Sequence, residues 1–400
     1  MSRAANFTIK GFLYQFNKTL LDILRSHDGD TITVEGLVED IEIASTTAKI
    51  AIQCKYHETS TYIPSDIYKP LLQMLNHFAM HSEEKIRYII FAHFASTREV
   101  APTLGKSDIE AALKSKDKTL QKHIVNLPKP IDVDRFLERF LLSSGPSYYE
   151  LVSQVCGALK DSGIPTDDID ILAYPNALHI IADMSGQNEL AKRRITKGQL
   201  VDKLKGIRTT AISRWTMALH TRTKLLEARR KQLKVHLDKN IRVRYFVIDP
   251  TGIEDYETEI VLFISDYLEK YHFKTAHLST PVVCLCATIS EVQEIQQRLY
   301  TKGIICTDGY HGGRFEETYF FRDPMVSKAD GGRVKREFAL RITSWGEHGS
   351  VLNNRKCDDL FVIGEPNCES LDTVDVTMER IAGTTFKELK YVMGVSNVYE

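Results

Sequence analysis

Apolar side chains in the first hundred positions switch between a helical and a strand period. Phe12, Leu13, Phe16, Leu20, Ile23 and Leu24 fall on one helical face within residues 11–26. His27-Asp-Gly-Asp30 ends that helix, and 31–37 then alternates with β-branched residues, as a strand does. After a break at Gly36 the strand pattern resumes over 40–44. Ser45-Thr-Thr47 is a polar turn, and 48–55 alternates again with Ile50 and Ile52 on one face. Ser65 or Asp66 can cap a helix reaching His81. Residues 85–94 form an apolar, β-rich run suited to a central strand. The predicted order is helix, antiparallel meander, helix, strand.

Pro128 and Pro130 mark a first boundary. Residues 132–142 and 147–160 read as helices, and 187–239 is helical in pattern. Further on, 243–248, 282–287 and 336–343 read as strands, with a helix over 290–302. The expected architecture is α/β in three parts: an N-terminal domain over 1–127, a helical middle over 128–240 and a C-terminal α/β domain over 241–400. No internal repeat interrupts this order.

Composition narrows the class. Among 400 residues, 43% are hydrophobic and 26% charged, as in a soluble globular protein, which excludes global disorder. Lys+Arg is 52 against 53 Asp+Glu, a net charge of -1, so a uniformly basic nucleic-acid-packaging protein is excluded. Charge is nevertheless segregated. Residues 192–244 carry 17 Lys/Arg against three acids, whereas 358–379 carries seven acids and no base. The basic run suits DNA phosphates or the acidic run of another protomer. Leu200, Leu204, Ile207, Ile212, Trp215, Leu219, Leu225, Leu226 and Leu233 give it a core-facing stripe as well. No apolar stretch is long enough to span a membrane, and the first ten residues lack the apolar core of a signal peptide. Seven scattered cysteines argue against a disulfide framework and for a reducing cytoplasm. The C-x-C pair Cys284 and Cys286 lacks the second close pair of a zinc site.

The residues that carry chemistry are Glu35, Asp40, Gln53 and Lys55. Strand side chains repeat every two residues, so Gln53 and Lys55 share a face, as do Asp40 and Glu42. If the two strands pair through the turn at 45–47, a carboxylate, an amide oxygen and an ammonium converge at one sheet edge. A hard divalent cation fits such donors, and a metal-activated water beside a lysine is equipment for attack on a phosphodiester. The ordinary alternative is a hairpin whose outer face is simply polar.

With this element order, the sequence resembles the PD-(D/E)xK nucleases in the Gln variant of their motif. More closely, Gly11-Phe-Leu-Tyr-Gln15, Val34-Glu35, Glu39-Asp40-Ile41 and Ile52-Gln-Cys-Lys-Tyr56 resemble the double-stranded DNA endonuclease domain of bacterial anti-phage effectors. The resemblance covers about residues 8–95. It implies that Asp40 and Gln53 bind Mg²⁺ (or Mn²⁺), that Lys55 is the catalytic lysine and that Glu35 is an accessory acid. Gln at 53 leaves one negative charge fewer on the metal. The resemblance also implies a defence role, double-stranded DNA as substrate, and control by homo-oligomerisation or by an ATPase partner, SMC-like as in Lamassu systems or HerA-like. The C-terminal domain, which carries no motif, is the candidate for that control. The rivals are a non-catalytic DNA- or partner-binding subunit and a restriction-type enzyme that reads sequence.

Other residues carry weaker expectations. Gln15 on the first helix could orient a metal-bound water, and His57, on the face of Lys55, could touch phosphate. Tyr14 and Tyr56 read as packing residues. His77 and His81 have metal-binding spacing without the Glu of an H-E-x-x-H motif. Asp308-Gly-Tyr-His-Gly-Gly-Arg314 lacks the G-K-[ST] ending of a phosphate loop and reads as a glycine-rich hairpin, followed by a strand over 316–322.

Overall fold

A computed structural model describes residues 3–36, 39–46, 48–58, 60–95, 103–128, 130–164, 169–219, 221–239, 242–274, 279–328 and 334–398. The chain forms two compact units, 1–208 and 209–400. Both mix helices with sheet, as the α/β expectation requires.

The first unit opens with α1 (Arg3–Arg25), the meander β1 (Thr31–Val34), β2 (Ile41–Ala44) and β3 (Lys49–His57), then α2 (Tyr68–Met80) and β4 (Ile86–Phe94). β1, β2 and β3 pair antiparallel, and β4 adds parallel to β3 over nine residues. The chain continues through α3 (Lys106–Leu113), α4 (Lys118–Val125) and α5 (Val133–Leu137) to β5 (Phe140–Ser144), α6 (Tyr148–Asp161), α7 (Tyr174–Ser185), β6 (Arg194–Ile195) and α8 (Lys197–Gly206). The sheet order is β5-β4-β3-β2-β1-β6.

This differs from the division expected at 127 and 240. Only 133–137 of the helix expected over 132–142 forms, because Phe140–Ser144 is drawn beside β4 as a parallel strand. Ladder pairing satisfies the backbone donors and acceptors of that buried run. Ile195 is likewise recruited against Ile32 at the other edge. Both edges of the N-terminal sheet are therefore built from residues read as a separate helical region.

Two cores cover the sheet. On one face Ala51, Tyr88, Ile90, Ala92 and Phe94 pack on Leu71, Leu75 and Phe78 of α2. On the other, Leu13, Phe16, Leu20 and Ile23 of α1 are buried, while Phe12 of the predicted stripe stays exposed. Gly145 follows β5 where the chain passes Tyr14. A Cβ there would lie 2.1 Å from the Tyr14 hydroxyl and 2.9 Å from the Phe91 ring, and that hydroxyl donates to the Pro146 carbonyl at 2.9 Å. Gly145→Ala is expected to cost about 1–3 kcal/mol through overpacking, read as a lowered urea midpoint.

The second unit runs α9 (Arg214–Met217), α10 (Arg222–Leu237), β7 (Arg244–Ile248), α11 (Tyr256–Tyr271), β8 (Val282–Leu285), α12 (Ile289–Thr301) and β9 (Cys306–Thr307). A hairpin of β10 (Tyr310–His311) and β11 (Arg314–Phe315), α13 (Glu317–Phe321), and a second hairpin of β12 (Val326–Lys328) and β13 (Val334–Arg336) follow. The unit closes with β14 (Leu340–Ser344), α14 (Trp345–His348), β15 (Asp359–Ile363), β16 (Thr377–Ile381) and α15 (Phe386–Val392). Its sheet is parallel throughout, in the order β16-β15-β7-β8-β14-β9. Strands buried on both faces read as continuous apolar runs, which is how 243–248 and 282–287 were visible. The strand expected over 316–322 is instead α13. Its adjacent Phe320 and Phe321 are both buried, which no two-residue alternation allows.

The charge-segregated runs meet inside this unit. Arg229 pairs with Glu379, Arg242 and Arg244 with Asp359, and Arg222 with Glu388. Two acids of the acidic run, Asp359 and Glu379, thus serve arginines of their own chain. All seven cysteines are free. No helix among the described residues is long and apolar enough to cross a membrane.

Candidate active site

The alternation along β3 sorts its side chains. Tyr56 turns toward α1 and stacks on Tyr14, ring centroids 4.6 Å apart. Gln53 and Lys55 project to the opposite face with Ala51. The register Thr33↔Glu42 and Glu42↔Ala51 places Thr33 and Glu42 on that same face, because residues directly opposite in a ladder project together.

At the end of β1 and β2 the chain breaks out of regular pairing. Glu35 is left-handed (φ 50°), a conformation that costs a non-glycine residue on the order of 1–3 kcal/mol and concentrates at functional sites. Its N–H still donates to the Asp40 carbonyl at 2.8 Å, and the Gly36 N–H donates to the Glu39 carbonyl at 3.0 Å. A Cβ at Gly36 would meet the Glu42 carboxylate, so a larger residue there would displace that side chain. Leu37, the end of the expected first strand, Val38 after it and Thr47 of the expected turn lie outside the described residues.

Glu35 is held from two elements. Gln15 Nε2 on α1 donates to its carboxylate at 2.6 Å, and Arg193 Nη1 donates to its carbonyl at 2.8 Å. Asp40 Oδ2 accepts from the Cys54 N–H at 2.8 Å and from Gln53 Nε2. Asp40, Gln53 and Glu35 are therefore brought together, and Gln15 joins them through Glu35. Lys55 contributes positive charge that acts on both Asp40 and Glu39.

Burial pushes the Asp40 carboxyl up to about 6, the Cys54 N–H and Lys55 pulling down and Glu35 pulling up. Sequence reading missed Glu39. It is 7% exposed, its Oε1 has no hydrogen-bond partner among the described residues, and burial with the neighbouring Asp40 charge pushes its carboxyl up to about 8. An acid flanking an apolar strand was the only signal, and it does not distinguish a buried acid from an exposed one.

These donors fit a hard divalent cation. Asp40 offers a carboxylate, and Gln53 offers an amide whose O and N exchange places on a 180° turn. Among the described residues no three His, Cys, Asp or Glu side chains are grouped to hold a metal by themselves. Mg²⁺ uses one or two carboxylates and fills its shell with water and substrate phosphate.

The weaker candidates resolve into structure. His57 stacks on Phe94 at 4.7 Å. His77 stacks on His81 at 4.4 Å and shares a hydrogen bond with the Tyr88 hydroxyl at 2.8 Å. Residues 308–314 form the β10–β11 hairpin, where left-handed Gly309 (φ 83°) leaves room for Phe315 and Phe320.

No protein-family model and no curated protein matches the chain. Among solved structures it is similar to the Acinetobacter baumannii Cap4 SAVED/CARF-domain containing receptor at 10% identity, covering 96% of this chain and 92% of that one. The TM-score is 0.28 for the form with the cyclic trinucleotide 3'3'3'-cAAA and 0.29 for another structure of the receptor. A likeness of that degree fixes neither fold nor function.

Proposed function

We propose that this chain is a Mg²⁺-dependent endonuclease that hydrolyses phosphodiester bonds of double-stranded DNA as an anti-phage or anti-plasmid effector. The observation that supports it most is the convergence of Glu35 and Asp40, from the β1–β2 connection, with Gln53 of β3, beside Lys55. A bound cation supplies Lewis acidity and an activated water. Asp40 and Gln53 would hold it, with Glu35 and Gln15 fixing the edge from which Asp40 projects. Lys55 holds positive charge where the attacked phosphate becomes more negative. The defence role and the ATPase partner rest on the sequence resemblance.

Substrate grip falls to the exposed part of the basic run. Arg194 lies opposite Thr33 in the ladder and so faces the site side of the sheet. Lys203, Lys205 and Arg208 follow, also exposed. Arg229 and Arg244, by contrast, are spent as internal counter-ions. Arg194→Ser is expected to weaken duplex binding about equally for all sequences and to lower the salt slope by about one. Fluorescence anisotropy with Ca²⁺ in place of Mg²⁺ checks this across salt concentrations, and unchanged affinity removes Arg194 from the track.

Control is assigned to the C-terminal unit, through self-assembly or docking on an ATPase. Its strand order reverses between β15 and β7, and open parallel sheets receive small ligands at the carboxyl ends of such strands. The test of the whole reading is plasmid cleavage with Mg²⁺ against EDTA, with and without neighbouring gene products. DNA bound but never cut favours the non-catalytic binding subunit, and a defined cut pattern favours the restriction-type enzyme.

A further inference from the structure

We propose that Glu39 supplies a third oxygen donor, alongside Asp40 and Gln53, to the divalent cation of this site. The inference rests on the nuclease reading above and deepens it. Glu39 directly precedes Asp40 and is more than nine-tenths buried, with Oε1 unpartnered among the described residues. A buried carboxyl oxygen without a hydrogen-bond partner is costly, and an apolar residue would fill the position more cheaply. The groups whose charges couple to it are Asp40, Lys55, Glu42 and Tyr88. Lys55, Glu42 and Tyr88 all project onto the site face by strand alternation and register. The Tyr88 hydroxyl shares its hydrogen bond with His77, and Glu39 Oε1 takes none from it.

The chemistry of position 53 supplies the reason. A neutral amide there leaves the cation facing one fewer negative charge than a Glu would provide. A carboxylate at 39, reaching the same edge from the loop rather than from β3, restores it. The site then presents two carboxylates and one amide oxygen, a set that hard cations accept while keeping waters for a phosphate substrate.

The test uses the full chain and Mn²⁺ alone, by isothermal titration and by the metal-induced rise in unfolding temperature. Glu39→Gln is expected to unfold no lower than the wild type without metal, because the amide keeps the side chain's size and spares the fold an ionisable group in a buried position. It should bind Mn²⁺ at least about tenfold more weakly and lose most of the metal-induced rise. Adding Gln53→Glu to Glu39→Gln should recover most of the affinity. If Glu39→Gln does not fold, Glu39→Asp, which withdraws the charge by one methylene, must still weaken binding. Wild-type affinity in these Glu39 variants, with Asp40→Asn weakened, overturns the role of Glu39 and leaves the nuclease reading intact. Wild-type affinity in Asp40→Asn, or no Mn²⁺ binding by the wild type, overturns both.

Discussion

Lys55→Ala is expected to lower Mg²⁺-dependent DNA cleavage by at least about 10²–10³-fold, the loss typical when a preorganised electrostatic group is removed from a reaction centre. The substitution is local. The neighbours of Lys55 on β3, Cys54 and Tyr56, point to the α1 side and keep their packing, and β3 stays paired to β4 through the backbone. The two carboxylates on which Lys55 acts, Asp40 and Glu39, lose a compensating positive charge. Attraction for a divalent cation should therefore be held or increased. The expected signature is retained Mn²⁺ binding, unchanged unfolding temperature and lost turnover, a combination that separates Lys55 from a metal ligand. Plasmid nicking with Mg²⁺ and with EDTA, across a range of protein concentrations, reads it. Cleavage by Lys55→Ala at the wild-type rate would falsify the assignment.

The second large effect concerns stability. Asp359→Ala should destabilise the C-terminal unit by about 3–5 kcal/mol, the cost of removing one partner from a buried ion pair. Asp359 is 1% exposed and accepts from Arg242 at 2.6–2.9 Å and from Arg244 Nε at 3.4 Å. Arg244 is itself buried, its other end capping the carbonyls of His236, Leu237 and Lys239 at the close of α10. Without Asp359 a buried guanidinium is left with neutral acceptors only. Arg242→Ala should cost less, since Arg242 reaches solvent. Both tryptophans, Trp215 and Trp345, belong to residues 209–400. Denaturant unfolding followed by tryptophan fluorescence therefore reports on this unit. The expected loss corresponds to a drop in melting temperature on the order of 10 °C. A shift of only a degree or two would mean that Arg244 is satisfied by its carbonyls alone.

Much of the site was legible because strand geometry is periodic. A two-residue repeat places Gln53 with Lys55 whatever surrounds them, and the structure pairs Asp40 with Gln53 across the meander, as pairing of the two strands allows. The break at Gly36 was also visible, although the Glu42 side chain lying against it was not. Helix ends were readable where a side chain caps its own backbone, as Ser147 does with Glu150. Local chemistry could not say which apolar run would find a ladder partner. Residues 140–142 therefore read as helix and 143–144 as part of a break, although all five lie beside β4.

By itself, then, the sequence determined what depends on short range: the helix and strand periods, the face on which each strand residue stands, and the apolar runs of the parallel sheet. Tertiary structure decided what depends on distant partners. It set Arg193 against the Glu35 carbonyl, 158 positions away. It paired the basic run with the acidic run of the same chain, and it sealed Glu39 from water beside Asp40. The physical reason is common to all three. Burial and charge pairing are energies of position in space, set by groups that sequence proximity does not bring together.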